Sequence, residues 1–200
     1  MVNDNIYNKI KVIKDKAILD NVPIMQDDTI DFITDYIVKN NVRRILEVGS
    51  AVGYSSIMMA LSSLDVTVVT IERDEERYME AVKNVKFMNL EDRITLIFND
   101  ALNVDFNEKF DLIIIDAAKS KNLEFFNKFE KNLEVDGAIV TDNLKFHGYV
   151  DQELSSISSR NIRGLVRKIR AYVEFLENND MYNTKFYDFG DGISVSERRL

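Results

Sequence analysis

The stretch from Ile45 to Ser56, ILEVGSAVGYSS, constrains this chain more than any other. A short apolar run ends in Glu47, a Gly-Ser-Ala-Val-Gly turn follows, and a helical pattern begins at Tyr54. Strand, tight glycine loop and helix N-terminus are a recurring way to hold a nucleotide-like ligand, because backbone N–H groups and the helix dipole converge there. The spacing decides which ligand. A dinucleotide fingerprint needs G-x-G-x-x-G so that the backbone can approach a pyrophosphate. Here the run is Glu47-x-Gly49-x-x-x-Gly53, and Ala51 stands where the second glycine would be. A carboxylate at the loop entrance repels a pyrophosphate and suits a ligand with a sulfonium and an ammonium group. The motif therefore favours S-adenosylmethionine over NAD.

Two hundred residues suffice for one domain, 1–200, with a sizeable core. Cysteine is absent, which excludes disulfides and thiolate metal sites. No apolar run approaches the roughly 18 residues of a membrane span. The opening MVNDNIYNKIKVIKDK is polar and lacks the apolar core of a signal peptide, so no membrane association and a cytoplasmic location are expected. A net charge of −8 argues against indiscriminate nucleic-acid binding but not against a local basic patch, since steering fields are local.

Strand-like and helix-like stretches alternate, which predicts an α/β fold with a mostly parallel sheet. Helices are expected over 5–20 and 27–40, around Pro23, with Asp27 or Asp28 as the N-cap of the second. Strands are expected over 44–48, 66–71, 94–98, 111–115 and 138–141, and helices over 54–61, 74–88, 120–132 and 161–178. The continuous apolar DLIII run marks a buried central strand. Phe125, Phe126 and Phe129 crowd one side of their helix. Gly190-Asp191-Gly192 separates two alternating runs, 184–189 and 193–197, as in a closing hairpin.

Ligands of such sheets bind beyond the carboxyl ends of the strands. The residues at those ends are Glu47, Glu72, Asp100, Asp116 and Asp142-Asn143, all acidic or amide. A single charged strand end is an ordinary solvated cap; a series of them suggests a site for cations. Glu72 can accept both ribose hydroxyls of an adenosine through its two oxygens. Asp100 can accept an adenine amine, with the small Ala101 leaving room for the ring. Asp116, Asp142 and Asn143 offer a hard, all-oxygen donor set that suits Mg²⁺, Mn²⁺ or Ca²⁺ rather than zinc. Taken alone, Asp142-Asn143 also reads as a polar turn. Lys119 starts a helix, where a cation opposes the macrodipole, and is a candidate general base or a plain surface lysine. His147, the only histidine, receives no role. Arg160, Arg163, Arg167, Lys168 and Arg170 place five cations in eleven residues, and the arginines recur on one helical face. Like charges at that spacing repel, so the stripe needs a partner or an internal countercharge.

Together these motifs resemble the class I S-adenosylmethionine-dependent methyltransferases of the cation-dependent O-methyltransferase group, which includes catechol and caffeoyl-CoA O-methyltransferases. The matching segments are VPIM, LEVGSAVGYSS, IERD, NDA, IDAAK, TDNLKFHG and GDGISVS. The resemblance implies a Rossmann-like, mostly parallel seven-stranded sheet with a C-terminal antiparallel hairpin and helices on both faces. It implies that the N-terminal helices, 1–41, cover the site and that the protein is a homodimer. It implies cofactor contacts from Glu47, Gly49, Ser50, Ser55, Glu72, Asp100, Ala101 and Asp116, with Met25 covering the cofactor. It further implies Mg²⁺ on Asp116, Asp142 and Asn143, and Lys119 as the base. Within the group the chain is similar to bacterial tRNA 5-hydroxyuridine methyltransferases, whose basic helix resembles RNIRGLVRKIRAYVEFL. That likeness implies the tRNA anticodon loop as substrate, 5-methoxyuridine as product, and Arg160, Arg163, Arg167, Lys168 and Arg170 as RNA contacts. Phe189 stands where a proline is common, and Asp116-Ala117-Ala118-Lys119 lacks the second acid of the caffeoyl-CoA enzymes. A small catechol-like acceptor, or a binding protein without catalysis, are the alternative readings.

Overall fold

The computed structural model describes residues 2–199, with side chains from residue 5 onward. Met1 and Leu200, the ends of the expected 1–200 domain, lie outside the described residues. Seven strands form a mixed sheet in the order β3-β2-β1-β4-β5-β7-β6. Two compact units are distinguished, Met1–Val104 and Asp105–Leu200.

The first unit contains α1 (Val2–Leu19), α2 (Asp27–Lys39), β1 (Arg44–Val48), α3 (Tyr54–Ser62), β2 (Thr67–Glu72), α4 (Glu75–Phe87) and β3 (Ile94–Phe98). Its three strands are parallel. Ile45, Leu46 and Val48 of β1 are buried, as are Val68 and Ile71 of β2. α2 buries Ile30, Ile33 and Ile37, a stripe at helical spacing. Neither Asp27 nor Asp28 is its N-cap. Gln26 holds that position without a side-chain hydrogen bond, and the two aspartates lie in the first turn, where they complement the dipole. One cause is competition: Lys14 Nζ binds the Asp27 carboxylate at 2.5 Å. α4 has a side-chain cap, with Asp74 Oδ1 accepting from Arg77 N at 3.0 Å.

The second unit contains β4 (Phe110–Ile115), α5 (Asn122–Phe129), β5 (Leu133–Thr141), α6 (Arg160–Glu177), β6 (Tyr182–Tyr187) and β7 (Ile193–Arg198). β4 and β5 are parallel neighbours; β7 runs antiparallel to both β5 and β6. Leu112 to Ile115 are fully buried, as their continuous apolar run predicts. Phe126 meets Tyr172, Phe175 and Tyr182 edge-on at 5.1–6.2 Å, so the phenylalanine side of α5 is core. The helix expected over 120–132 is shorter, because tight 3-10 turns at Lys119–Lys121 and Glu130–Asn132 flank α5. β5 starts five residues before the expected Ala138. It runs through Gly137, where a Cβ would lie 2.8 Å from the Asp111 carbonyl oxygen.

Candidate active site

In the first unit the glycine loop runs through left-handed backbone, the region that favours glycine. Gly49 (φ 100°), Ala51 (φ 45°) and Gly53 (φ 79°) all adopt left-handed conformations. A Cβ on Gly53 would stand 3.3 Å from the Ala81 Cβ, so this glycine lets α3 and α4 approach. Two side chains fix the loop. Asn84 Nδ2 donates to the Val52 carbonyl at 2.9 Å, and Glu72 Oε2 accepts from Ala51 N at 2.9 Å. The other Glu72 oxygen accepts from Arg73 N and Asp74 N, each at 2.9 Å. Glu72 thus ties the end of β2 to the loop and is itself buried. Ser50 is buried as well, and its Oγ has no hydrogen-bond partner among the described residues. An orphaned buried hydroxyl in a glycine loop suits a ligand's polar atom.

Glu47 is fully buried. Ser55 Oγ and Ser56 Oγ each donate to one of its oxygens, and Thr70 Oγ1 donates at 2.6 Å. Thr70 reaches it because the parallel register pairs Glu47 with Thr70. Ser55 is therefore spent on Glu47 in this structure. Asp100 Oδ1 caps the following turn through Leu102 N at 2.9 Å, while Oδ2 lies 3.9 Å from Arg73 Nη1. Ala101 and Met25 are buried.

In the second unit β4 and β5 end side by side, with Ile115 paired to Thr141. The residues just beyond them meet. Asn143 Nδ2 donates to Asp116 Oδ1 at 3.1 Å, and Asn143 N donates to Asp142 Oδ1 at 2.7 Å. Asn143 achieves both in a left-handed conformation, φ 65°. Asp142 is buried, and burial pushes its carboxyl up to about 7, with the charge of Asp116 adding to the rise. Burial likewise raises Asp116, opposed by Lys119 and by the Asn143 hydrogen bond. Neither carboxylate forms an ion pair within 4.0 Å among the described residues. Lys119 is half-buried at the start of the turn after β4.

Among the described residues no three His, Cys, Asp or Glu side chains form a metal-binding group. The cluster here has two carboxylates and an amide. Two adjoining carboxyls, both disfavoured as anions by burial, are a donor set that a hard divalent cation would satisfy.

Asp191 has a part that its place in a hairpin turn did not disclose. It is buried, its Oδ1 accepts from His147 N at 2.6 Å, and its carbonyl accepts from Lys145 N at 2.7 Å. It thereby holds the segment after Asn143, in which Phe146, His147 and Gly148 are all left-handed. The His147 ring is exposed, with Nδ1 3.7 Å from Asp191 Oδ2. Ser56, Thr70 and Asn84 were also missed. Thr70 was recoverable in principle from parallel pairing of the first two strands; Asn84 carries no local signal.

The basic stripe divides. Arg163 Nη1 donates to the Ile157 and Ser158 carbonyls at 2.5 and 2.9 Å. Arg170 Nε and Nη2 donate to the Val150 carbonyl, and Nη2 also to that of Gln152. These two arginines brace the chain before α6. Arg160, Arg167 and Lys168 are exposed, with no hydrogen bond or ion pair among the described residues.

No helix among the described residues is long and apolar enough to cross a membrane. The chain is similar to a Staphylococcus aureus protein provisionally designated a caffeoyl-CoA O-methyltransferase. The two are 36% identical, the match covers 95% of this chain and 92% of that one, and the TM-score is 0.90. A caffeoyl-CoA O-methyltransferase of Populus kitakamiensis is 26% identical over 166 residues, 79% of this chain and 71% of the relative. The O-methyltransferase of Bacillus cereus in complex with SAH shares the fold, with a TM-score of 0.82 at 24% identity over 96% of this chain and 91% of that one. The O-methyltransferase family pattern matches residues 4–199, and with that match spanning nearly its whole length the chain belongs to the O-methyltransferase family.

Proposed function

We propose that this protein transfers a methyl group from S-adenosylmethionine to one of two vicinal oxygens on a planar acceptor, using Mg²⁺ or Mn²⁺. The acceptor proposed is 5-hydroxyuridine in the tRNA anticodon loop. The observation that carries the reading is the cluster of Asp116, Asn143 and Asp142, whose two carboxyls are both raised by burial, with Lys119 opposing the rise but no ion pair within 4.0 Å among the described residues. Family membership and the SAH-bound Bacillus cereus relative support the cofactor. The unpaired Arg160, Arg167 and Lys168, on a chain of net charge −8, support a polyanionic acceptor.

Each residue has a role in that chemistry. Glu72 would accept the ribose hydroxyls, Asp100 the adenine amine, and the loop at Gly49 and Ser50, with Ser55 in the first turn of α3, would receive the rest of the cofactor, which Met25 would cover. Asp116, Asp142 and Asn143 would hold the cation, which would polarise the acceptor oxygen when bound. Lys119 Nζ would take the proton from the acceptor hydroxyl and so ready its oxygen for the methyl group that bound S-adenosylmethionine would supply, the broken S–CH3 bond leaving S-adenosylhomocysteine. An anticodon loop supplies an unstacked base able to leave the helix stack. A small catechol-like acceptor is the second reading, favoured by the caffeoyl-CoA enzyme among the relatives.

The test is nucleoside mass spectrometry of bulk tRNA after incubation with protein, S-adenosylmethionine and Mg²⁺. A gain of 5-methoxyuridine that disappears in EDTA is expected. Methylation of a free catechol with no change in any nucleoside would overturn the RNA reading, and full activity in EDTA would overturn the metal. Glu72→Ala is expected to weaken S-adenosylhomocysteine binding by about 1.5–3 kcal/mol, read by titration calorimetry. The loss has two sources, the ribose hydrogen bonds and the tether to Ala51 N.

A further inference from the structure

α6 has a glycine in its interior that packing does not require. Gly164 lies within Arg160–Glu177, and a Cβ built on it meets nothing within 4 Å. An interior helical glycine is destabilising relative to alanine, because it loses more backbone freedom on folding. At Gly53 and Gly137 crowding explains the choice; at Gly164 the space is open. Its neighbours on the helix surface are informative. Arg160 lies one turn before it, and Arg167 and Lys168 one turn after, at i−4, i+3 and i+4. All three are exposed, whereas Val166, Ile169 and Tyr172 mark the buried side of the helix. The result is bare helix backbone framed by three unpaired cations.

We propose that Gly164 is the floor of a phosphate-docking notch, in which a phosphodiester of tRNA sits against the α6 backbone under Arg160, Arg167 and Lys168. This rests on the tRNA reading above. The chemistry that recognises the ligand is a tetrahedral monoanion with two unbridged oxygens, which guanidinium groups bind in pairs and an ammonium binds as a point charge. A side chain at 164 would stand among the three cations and lift the phosphate away from them. Such a contact carries no base information; it sets position and orientation on the RNA.

The experiment compares Gly164→Ala, Gly164→Leu and the double variant Arg160→Gln/Arg167→Gln with wild type. Binding of bulk tRNA is measured over a range of salt, together with thermal melting and S-adenosylhomocysteine affinity. Gly164→Ala is expected to raise the melting temperature by about 1–4 °C, since its Cβ enters open space, and yet to weaken tRNA binding severalfold. Gly164→Leu should weaken it further. The double variant should flatten the log–log salt dependence by about 0.7–0.9 per lost contact. Cofactor affinity should be unchanged throughout. Wild-type tRNA affinity in both glycine variants, alongside weakened binding in the arginine variant, overturns the notch and leaves the tRNA reading standing. A wild-type protein that ignores tRNA, or that binds phosphatidylserine vesicles instead, overturns both.

Discussion

Asp142→Asn is expected to abolish cation-dependent methyl transfer while making the metal-free protein more resistant to heat at neutral and alkaline pH. The two effects have one origin. Asp142 is buried beside Asp116, and its carboxyl titrates at about 7 rather than near its ordinary 3.8. A carboxyl raised on folding contributes stability that is complete below the unfolded value and is lost as pH rises through the folded one. Metal-free wild type should therefore melt at lower temperature at pH 8 than at pH 5. The amide of the variant would carry no charge and flatten that dependence. Mg²⁺ should restore the wild-type melting temperature at pH 8, because the cation supplies the missing countercharge, and should leave the variant unmoved. Turnover in the variant should fall by at least about 100-fold, as for loss of a metal ligand. Differential scanning calorimetry at the two pH values, with and without Mg²⁺, and a turnover assay decide the matter. Undiminished turnover in Asp142→Asn would rule out the carboxylate pair as the cation site. In the proposed function a destabilising charge pair stands where the chemistry would need it, a trade of stability for function.

Most of the architecture was legible because the strands announce themselves. ILEV, VTVVTI and DLIII are short and rich in aliphatic residues, with Glu47 next to last in β1, Glu72 closing β2 and Asp116 just after β4, so fold class and strand ends followed from the sequence. What escaped was tertiary. Asp136-Gly137 has turn composition, yet β5 passes through it because Gly137 lets the strand lie against the Asp111 carbonyl. Helical spacing put four arginines of α6 on one face, but it cannot show that two of them reach back to carbonyls at 150–158. The N-cap rule chose Asp27 or Asp28, and Lys14 binds the first while Asp28 Oδ1 accepts from Thr29 N. Asp191 looked like the apex of a hairpin; its carboxylate instead pins the strained segment beyond the candidate metal cluster.

Glu47 separates two kinds of importance, and its removal is expected to cost the fold before it costs the cofactor. The resemblance assigns Glu47 to cofactor contact, whereas both of its oxygens here accept hydroxyl hydrogen bonds, from Ser55, Ser56 and Thr70. Those donors come from α3 and β2, so one fully buried side chain joins the first strand to its neighbour and to the helix after the glycine loop. Glu47→Ala would leave three buried hydroxyls without their acceptor and a cavity at the end of β1. Unsatisfied buried groups cost about 1–3 kcal/mol each, partly recovered by hydroxyl rotation, so a net loss of about 3–4 kcal/mol is expected. For a domain of this size that lowers the melting temperature by roughly 10 °C. Thr70→Val, which keeps the shape and removes one donor, should lower it by a smaller amount. The measurement is thermal unfolding of cofactor-free protein, because a residue that served only as a ligand would leave that state unchanged. An unaltered melting temperature in Glu47→Ala, with cofactor affinity lost, would show that the three hydroxyls are replaceable and that the carboxylate belongs to the ligand. The expected order is the reverse: the glycine loop loses its support, and cofactor affinity declines because the loop is no longer held.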